Sequence, residues 1–248
     1  TLMFLPFLPW FVRFLNRVVP SKGFKEKPRL TDLDIRILET PALAIEQSRK
    51  EIEKMGDGCE KMLEWLNELL QQDDPDRSLA DRLKRREQVL DSMQDEITAF
   101  VTDLLAGNIP HSAADEARRQ LRVADEYESI SDYIVSLDKF DRKLRRDGHR
   151  FAPDQRQDLV HLNRQLAEYL GDINRALIQG NRNVLTQTST TSDRVRKDIK
   201  QLRRKHLEDL SAGDIPPQVS VAYLATLNAY SRVRDHSHNI AEAVSGEK

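Results

Sequence analysis

One cysteine in 248 residues, Cys59, rules out an internal disulfide and a thiolate-built zinc centre, and gives no sign of an oxidising compartment. Aromatic residues are only 6% of the chain while charged residues are 32%, a balance typical of long amphipathic helices and unlike that of a sandwich or barrel. An all-β fold is excluded on that ground. Proline is scarce beyond Pro41, occurring only at 75, 110, 153, 216 and 217, so long tracts are free to run as unbroken helix. There is no Gly-rich phosphate loop, no nucleophile elbow and no HExxH. With no base or nucleophile identifiable beside its acids, the chain is not expected to be an enzyme. Its close histidine pair, His236 and His238, is spaced by two and so points to different faces of a helix, and lone exposed helix histidines are the expectation for all six. The serine and threonine tract at 186–192 reads as a solvated turn of helix.

The net charge of −2 conceals an asymmetry. Arg13, Arg17, Lys22, Lys25, Lys27 and Arg29 against Glu26 give residues 1–29 a charge of +5, which leaves −7 for the rest. An acidic body with no stripe of aromatic and basic residues disfavours a nucleic-acid partner. The opening TLMFLPFLPWFV, residues 1–12, carries no charge but is shorter than the roughly 20 apolar residues that cross a bilayer. Its basic residues follow rather than precede it, the reverse of a signal peptide. The expectation is the end of a transmembrane helix, with the basic collar marking the cytoplasmic side; a free amphipathic or disordered arm is the alternative.

Between the prolines the apolar residues follow steps of three and four. In the first tract these are Ile45, Ser48, Ile52, Met55, Cys59, Met62, Leu66 and Leu69; in the second, Leu79, Leu83, Arg86, Leu90, Met93, Ile97, Phe100 and Leu104. Four further helices are predicted at about 111–147, 153–179, 182–212 and 216–244, with Gly107, Gly148, Gly180 and Gly213 as C-caps. DLLAGNIP at 103–110 recurs as DLSAGDIP at 209–216, once at the end of the second helix and once at the end of the fifth. The chain therefore reads as all-α: two tandem antiparallel three-helix bundles, about 41–147 and 153–244, within a body spanning 30–248 that follows the membrane-proximal residues 1–29.

Two pairs of acids share a helix face at a spacing of four: Asp91 with Asp95 on the second helix, and Glu128 with Asp132 on the third, opposite Val123, Tyr127, Ile130, Ile134 and Leu137. Like charges so placed repel by a few tenths of a kcal/mol, about the strength of an exposed i,i+4 pair, and a hard cation would offset that cost. Carboxylate oxygens suit divalent hard metals or iron rather than zinc. The alternative is a solvated acidic face.

The third helix, RVADEYESISDYIVSL, and above all the last, AYSRVRDHSHNIAEAV, resemble the two signature helices of the PhoU family, with Arg232, Asp235, His236, Asn239, Ile240, Ala241 and Glu242 at signature positions. The resemblance covers about residues 40–245 and implies two tandem three-helix bundles. It also implies metal clusters held by E/D-x-x-x-D motifs, which in the first repeat are Asp91, Asp95, Glu128 and Asp132. The second repeat departs from the pattern: Lys197 and Gln201 stand opposite Asp91 and Asp95, and Ser231 opposite Glu128, leaving Asp235 as a weak remnant. The opening residues in turn resemble the end of the membrane domain of bacterial sodium/phosphate cotransporter proteins. What the two resemblances imply together is a regulatory, metal-binding domain on the cytoplasmic side of the inner membrane. Its partner would be the transporter domain of the same chain, with sodium and phosphate as the transported ions and a homo-oligomer left open. A free-standing PhoU-type adaptor contacting an ABC transporter or a sensor kinase is the alternative.

Overall fold

A computed structural model describes residues 30–247 apart from Pro75, Ala212 and Asp214. The apolar run and basic collar of residues 1–29 lie outside the described residues, and with them the expected membrane segment. Among the described residues no helix is long and apolar enough to cross a membrane, and no strand occurs.

After a short 3-10 turn at Ile35–Ile37, six helices follow: α1 (Pro41–Gln71), α2 (Arg77–Ala106), α3 (His111–Arg146), α4 (Pro153–Gln179), α5 (Val184–Ser211) and α6 (Pro217–Ser245). Proline opens α1, α4 and α6, where its missing N–H costs nothing. Asp76 caps α2 by accepting from the Ser78 amide at 2.8 Å. Gly180 closes α4 in the left-handed region at φ 62°, as its place beyond the last apolar residue predicts. Gly107 does not: its φ is −77° with extended ψ, so α2 ends without a left-handed cap, three residues ahead of Pro110. The α1 seam also begins one residue earlier than expected, with Ala44 fully buried and Ile45 only half-buried. Arg86, the one charged member of the α2 seam, lies 5.6 Å from the Trp65 ring centroid, with Arg82 at 4.6 Å, so both guanidinium groups cover an aromatic face.

Each of α1, α2 and α3 packs against the other two, and the same holds for α4, α5 and α6; α1 with α4, and α3 with α6, join the two triangles. One continuous apolar cluster runs through both, from Ile52, Leu66 and Leu83 to Tyr169, Leu227 and Tyr230. The bundles consequently share a core rather than sitting side by side. Their seams are in register, since Ile52, Cys59 and Leu66 of α1 correspond to Leu159, Leu166 and Ile173 of α4.

Polar side chains tie the joint together. Tyr127 Oη donates to Asn174 Oδ1 at 2.6 Å, and Asn174 Nδ2 donates to Glu60 Oε1 at 2.6 Å, tying α3 to α4 and α4 to α1. Gly56 makes this possible, because a Cβ there would lie 3.0 Å from Tyr127 Oη and 3.1 Å from Asn174. Asn163 Nδ2 donates to the Leu63 carbonyl at 2.9 Å, a second tie between α1 and α4. The tract at 186–192 is ordinary α5, with Thr188 and Ser192 buried and the residues between them exposed or half-buried.

Of the histidines, His206 departs furthest from an exposed residue. It is 2% exposed, with Nε2 2.8 Å from Ser220 Oγ, Nδ1 3.3 Å from Gln155 Nε2, and its ring 4.8 Å from that of Tyr223. The Ser–His contact is sealed in the core and backed by an amide rather than a carboxylate, so it serves packing between α4, α5 and α6. Burial lowers the His206 pKa below its usual value. The unfolded chain then binds a proton near pH 6.5 that the folded chain refuses, so stability falls as pH drops below about 6.5. Denaturant titrations between pH 7 and 5 should show this loss in the wild type and a flatter dependence in His206→Gln.

Candidate functional site

On α3 Glu128 is half-buried and Asp132 exposed, and the charge of Asp91 on the adjacent α2 acts on Glu128. Burial, then the charge of Asp132, and more weakly those of Asp91 and Asp125, raise the Glu128 pKa against the opposing Ser129 hydroxyl. The fourth acid of the group is Glu87. Burial first, then the adjoining Asp132 carboxylate, push its pKa up, with Asp91 adding to the effect and Lys139 opposing it. Asp95 is exposed and is not among the carboxylates that chiefly act on Glu87 or Glu128. The α2 acids whose charges act on this group are Glu87 and Asp91, also spaced by four and one turn ahead of the expected Asp91 and Asp95. The spacing of the two pairs is identical in the sequence; which one meets α3 depends on how the helices cross.

As the side chains stand, among the described residues no three His, Cys, Asp or Glu groups are gathered closely enough to hold a metal ion. The donor chemistry suits a hard cation, whereas the spacing does not yet close on one. In the second repeat Asp235 is paired with the neighbouring Arg234 and does not stand in an acidic group.

The signature residues of α6 perform a different task. Glu126 of α3 stands 2.7 Å from His236 Nδ1 and accepts from Asn239 Nδ2 at 3.1 Å on both oxygens. Arg122 of α3 reaches Glu242 at 3.3 Å, and the Tyr133 ring stacks on His236 at 5.5 Å. His238 lies between α4 and this group, its Nδ1 3.4 Å from Tyr169 Oη and its Nε2 3.8 Å from Glu242. These pairs form a polar latch along the α3/α6 seam, and neither Glu126 nor Arg122 was singled out by sequence spacing. Cys59 is inert: it is buried, its thiol contacts the Tyr127 carbonyl at 3.3 Å, and burial pushes its pKa up.

Residues 52–138 match the family model described as PhoU domain. A putative inorganic phosphate export protein, YjbB, from Salmonella typhimurium is 27% identical over 146 residues, covering 55% of this chain and 25% of that protein. YjbB of Escherichia coli is 26% identical over the same length and coverage. The chain therefore spans about a quarter of the length of these curated relatives. Among solved structures, the phosphate transport system regulatory protein PhoU from Streptococcus pneumoniae superposes with a TM-score of 0.71 at 15% identity, covering 82% of this chain and 94% of that one. PhoU from Pseudomonas aeruginosa gives 0.63 at 18% identity, with 80% and 94% covered. The six-helix arrangement is accordingly the PhoU-like fold.

Proposed function

We propose that this chain, whose residues 52–138 carry a PhoU domain, is a regulatory module that controls movement of inorganic phosphate across a membrane, acting by interaction and sensing rather than as an enzyme. The observation that carries this is the alignment of 146 residues with a phosphate export protein, combined with the fold of a phosphate transport regulator. The module sits on the cytoplasmic side of the inner membrane, joined in one chain to a sodium-coupled phosphate transporter domain. The uncharged residues 1–12 and the six basic residues at 13–29 support that arrangement. A second reading, an adaptor separate from the transporter, draws support from the coverage of 94% of the Streptococcus pneumoniae regulator.

The acidic face is its sensing element in this proposal. Asp91, Glu128 and Asp132, with Glu87 in the role expected of Asp95, would hold a divalent or iron-type cation once their side chains close. Such an ion would supply positive charge that cancels the mutual repulsion of the acids. Asp235 takes no part, since Arg234 holds it and a lysine stands in the place of Asp91.

The test is radiolabelled phosphate flux in cells expressing the intact protein with or without residues 30–248. Flux should persist in the truncated form but cease to adjust to external phosphate. Unaltered adjustment would remove the regulatory reading. Restored adjustment on supplying residues 30–248 as a separate chain would favour the adaptor.

A further inference from the structure

We infer that a cleft at one end of the α3/α6 seam is a binding site for a phosphate monoester bearing an apolar or aromatic body. The cleft, about 340 Å³, lies where α1, α3 and the C-terminal ends of α4 and α6 meet, and that volume falls in the range of small-molecule sites. Its lining includes the apolar Ile52, Val123 and Leu177 together with Arg49, Arg119 and Arg182 from three different segments and one acid, Glu116.

Two of these arginines are braced within their own helices. Arg49 is held by Glu46 at 2.7 Å and Glu53 at 2.9 Å, and Arg119 by Glu116. The partial negative charge at the C-termini of α4 and α6 gives those two a structural reason to gather here. It does not account for Arg182, which makes no ion pair or hydrogen bond among the described residues and so keeps all five donors. A planar guanidinium fork matches two oxygens of a phosphoryl group, and the apolar part of the lining favours an organic body over the bare anion.

The internal duplication shows the corresponding arginine with an anion of its own. By the α1/α4 register Arg156 corresponds to Arg49 and Asp73 to Gly180, and there Arg156 bonds the Asp73 carboxylate at 2.6 Å. In the cleft the matching position is glycine, where an added Cβ would meet nothing within 4 Å. Aligning α3 with α6 through Asp132 and Asp235 places Phe140 and Lys143 opposite Ala243 and Gly246 of the cleft wall. One repeat thus supplies its own carboxylate to the arginine; the other has glycine at that position and an arginine left over. An incoming anion takes the place of the Asp73 carboxylate. This inference stands apart from the acidic face and from the transport reading.

Isothermal titration calorimetry of the 248-residue chain with phenyl phosphate, inorganic phosphate and phenol tests it. Phenyl phosphate should bind at least about tenfold more tightly than either of the others, and Arg182→Gln and Arg119→Gln should each weaken it about tenfold, the loss of a charge-assisted pair. Arg182 sits in an exposed turn, so its variant should keep the wild-type melting curve. Repeating the titration with adenosine monophosphate and with phosphatidic acid vesicles tells a soluble monoester from a lipid headgroup. No binding at millimolar phenyl phosphate, equal binding of inorganic phosphate, or full affinity in both arginine variants would overturn the site.

Discussion

Replacing Tyr127 with alanine should cost about 3–5 kcal/mol of stability, the range for deleting a fully buried aromatic side chain, and lower the melting temperature by roughly 10 °C. The residue is 0% exposed at the meeting of α1, α3 and α4, and its hydroxyl is committed to Asn174. Two losses therefore coincide: the volume of the ring, and a buried amide oxygen left without its donor. Tyr127→Phe separates them, since it keeps the ring and should cost about 1–3 kcal/mol, the penalty for one buried polar group left unsatisfied. Because the apolar cluster runs through both bundles, the transition should remain a single one, with near-ultraviolet and far-ultraviolet circular dichroism melting together. Separate melting of the two halves would show that the joint contributes little.

Glu126→Ala should cost about 2–3 kcal/mol, on the scale of hydrogen bonds to a charged group. It leaves His236 Nδ1 and Asn239 Nδ2 without their acceptor in a half-buried seam and removes a counter-charge of Arg122. Glu126→Gln keeps an acceptor for Asn239 and should recover part of that. Hydrogen exchange should report the damage on the facing turns of α3 and α6, with α2 and α5 protected as in the wild type. If the variant melts with the wild type, the signature residues of α6 are not the latch described here.

The helices themselves were readable from the sequence because proline and apolar spacing act locally. The ends of α3, α4 and α6 lie within one residue of those expected; α5 starts two residues late, and α1 stops at Gln71, four residues ahead of Pro75, with α2 starting at Arg77. The site was legible only in part. The charges of Asp91 and Asp132 both act on Glu128, but spacing alone has no means of preferring Asp91–Asp95 to Glu87–Asp91, since both put two carboxylates on one side of α2. The choice is made by where α3 crosses, a property of the whole bundle. His206 and Glu126 were missed for a related reason. Their partners lie 14 and 51 residues away in one case and 110 and 113 in the other, beyond any local pattern. The likeness to signature helices did identify His236, Asn239 and Glu242 as special, yet only their contacts with α3 reveal that they join two repeats.

The proposed sensing role rests on the acidic face of the first repeat. The measurement is the shift in melting temperature on adding Mn²⁺ to chelator-treated protein, for the wild type, for Glu87→Gln with Glu128→Gln, and for Asp235→Asn. The wild type and Asp235→Asn should be stabilised, by about 2.7 kcal/mol at a hundred times the dissociation constant. The double variant should start slightly more stable than the wild type, because two carboxylates that the fold already drives towards protonation have lost their charge, and should gain nothing from the metal. An equal metal response in the double variant, or none in the wild type, would contradict the assignment and leave these acids a solvated surface.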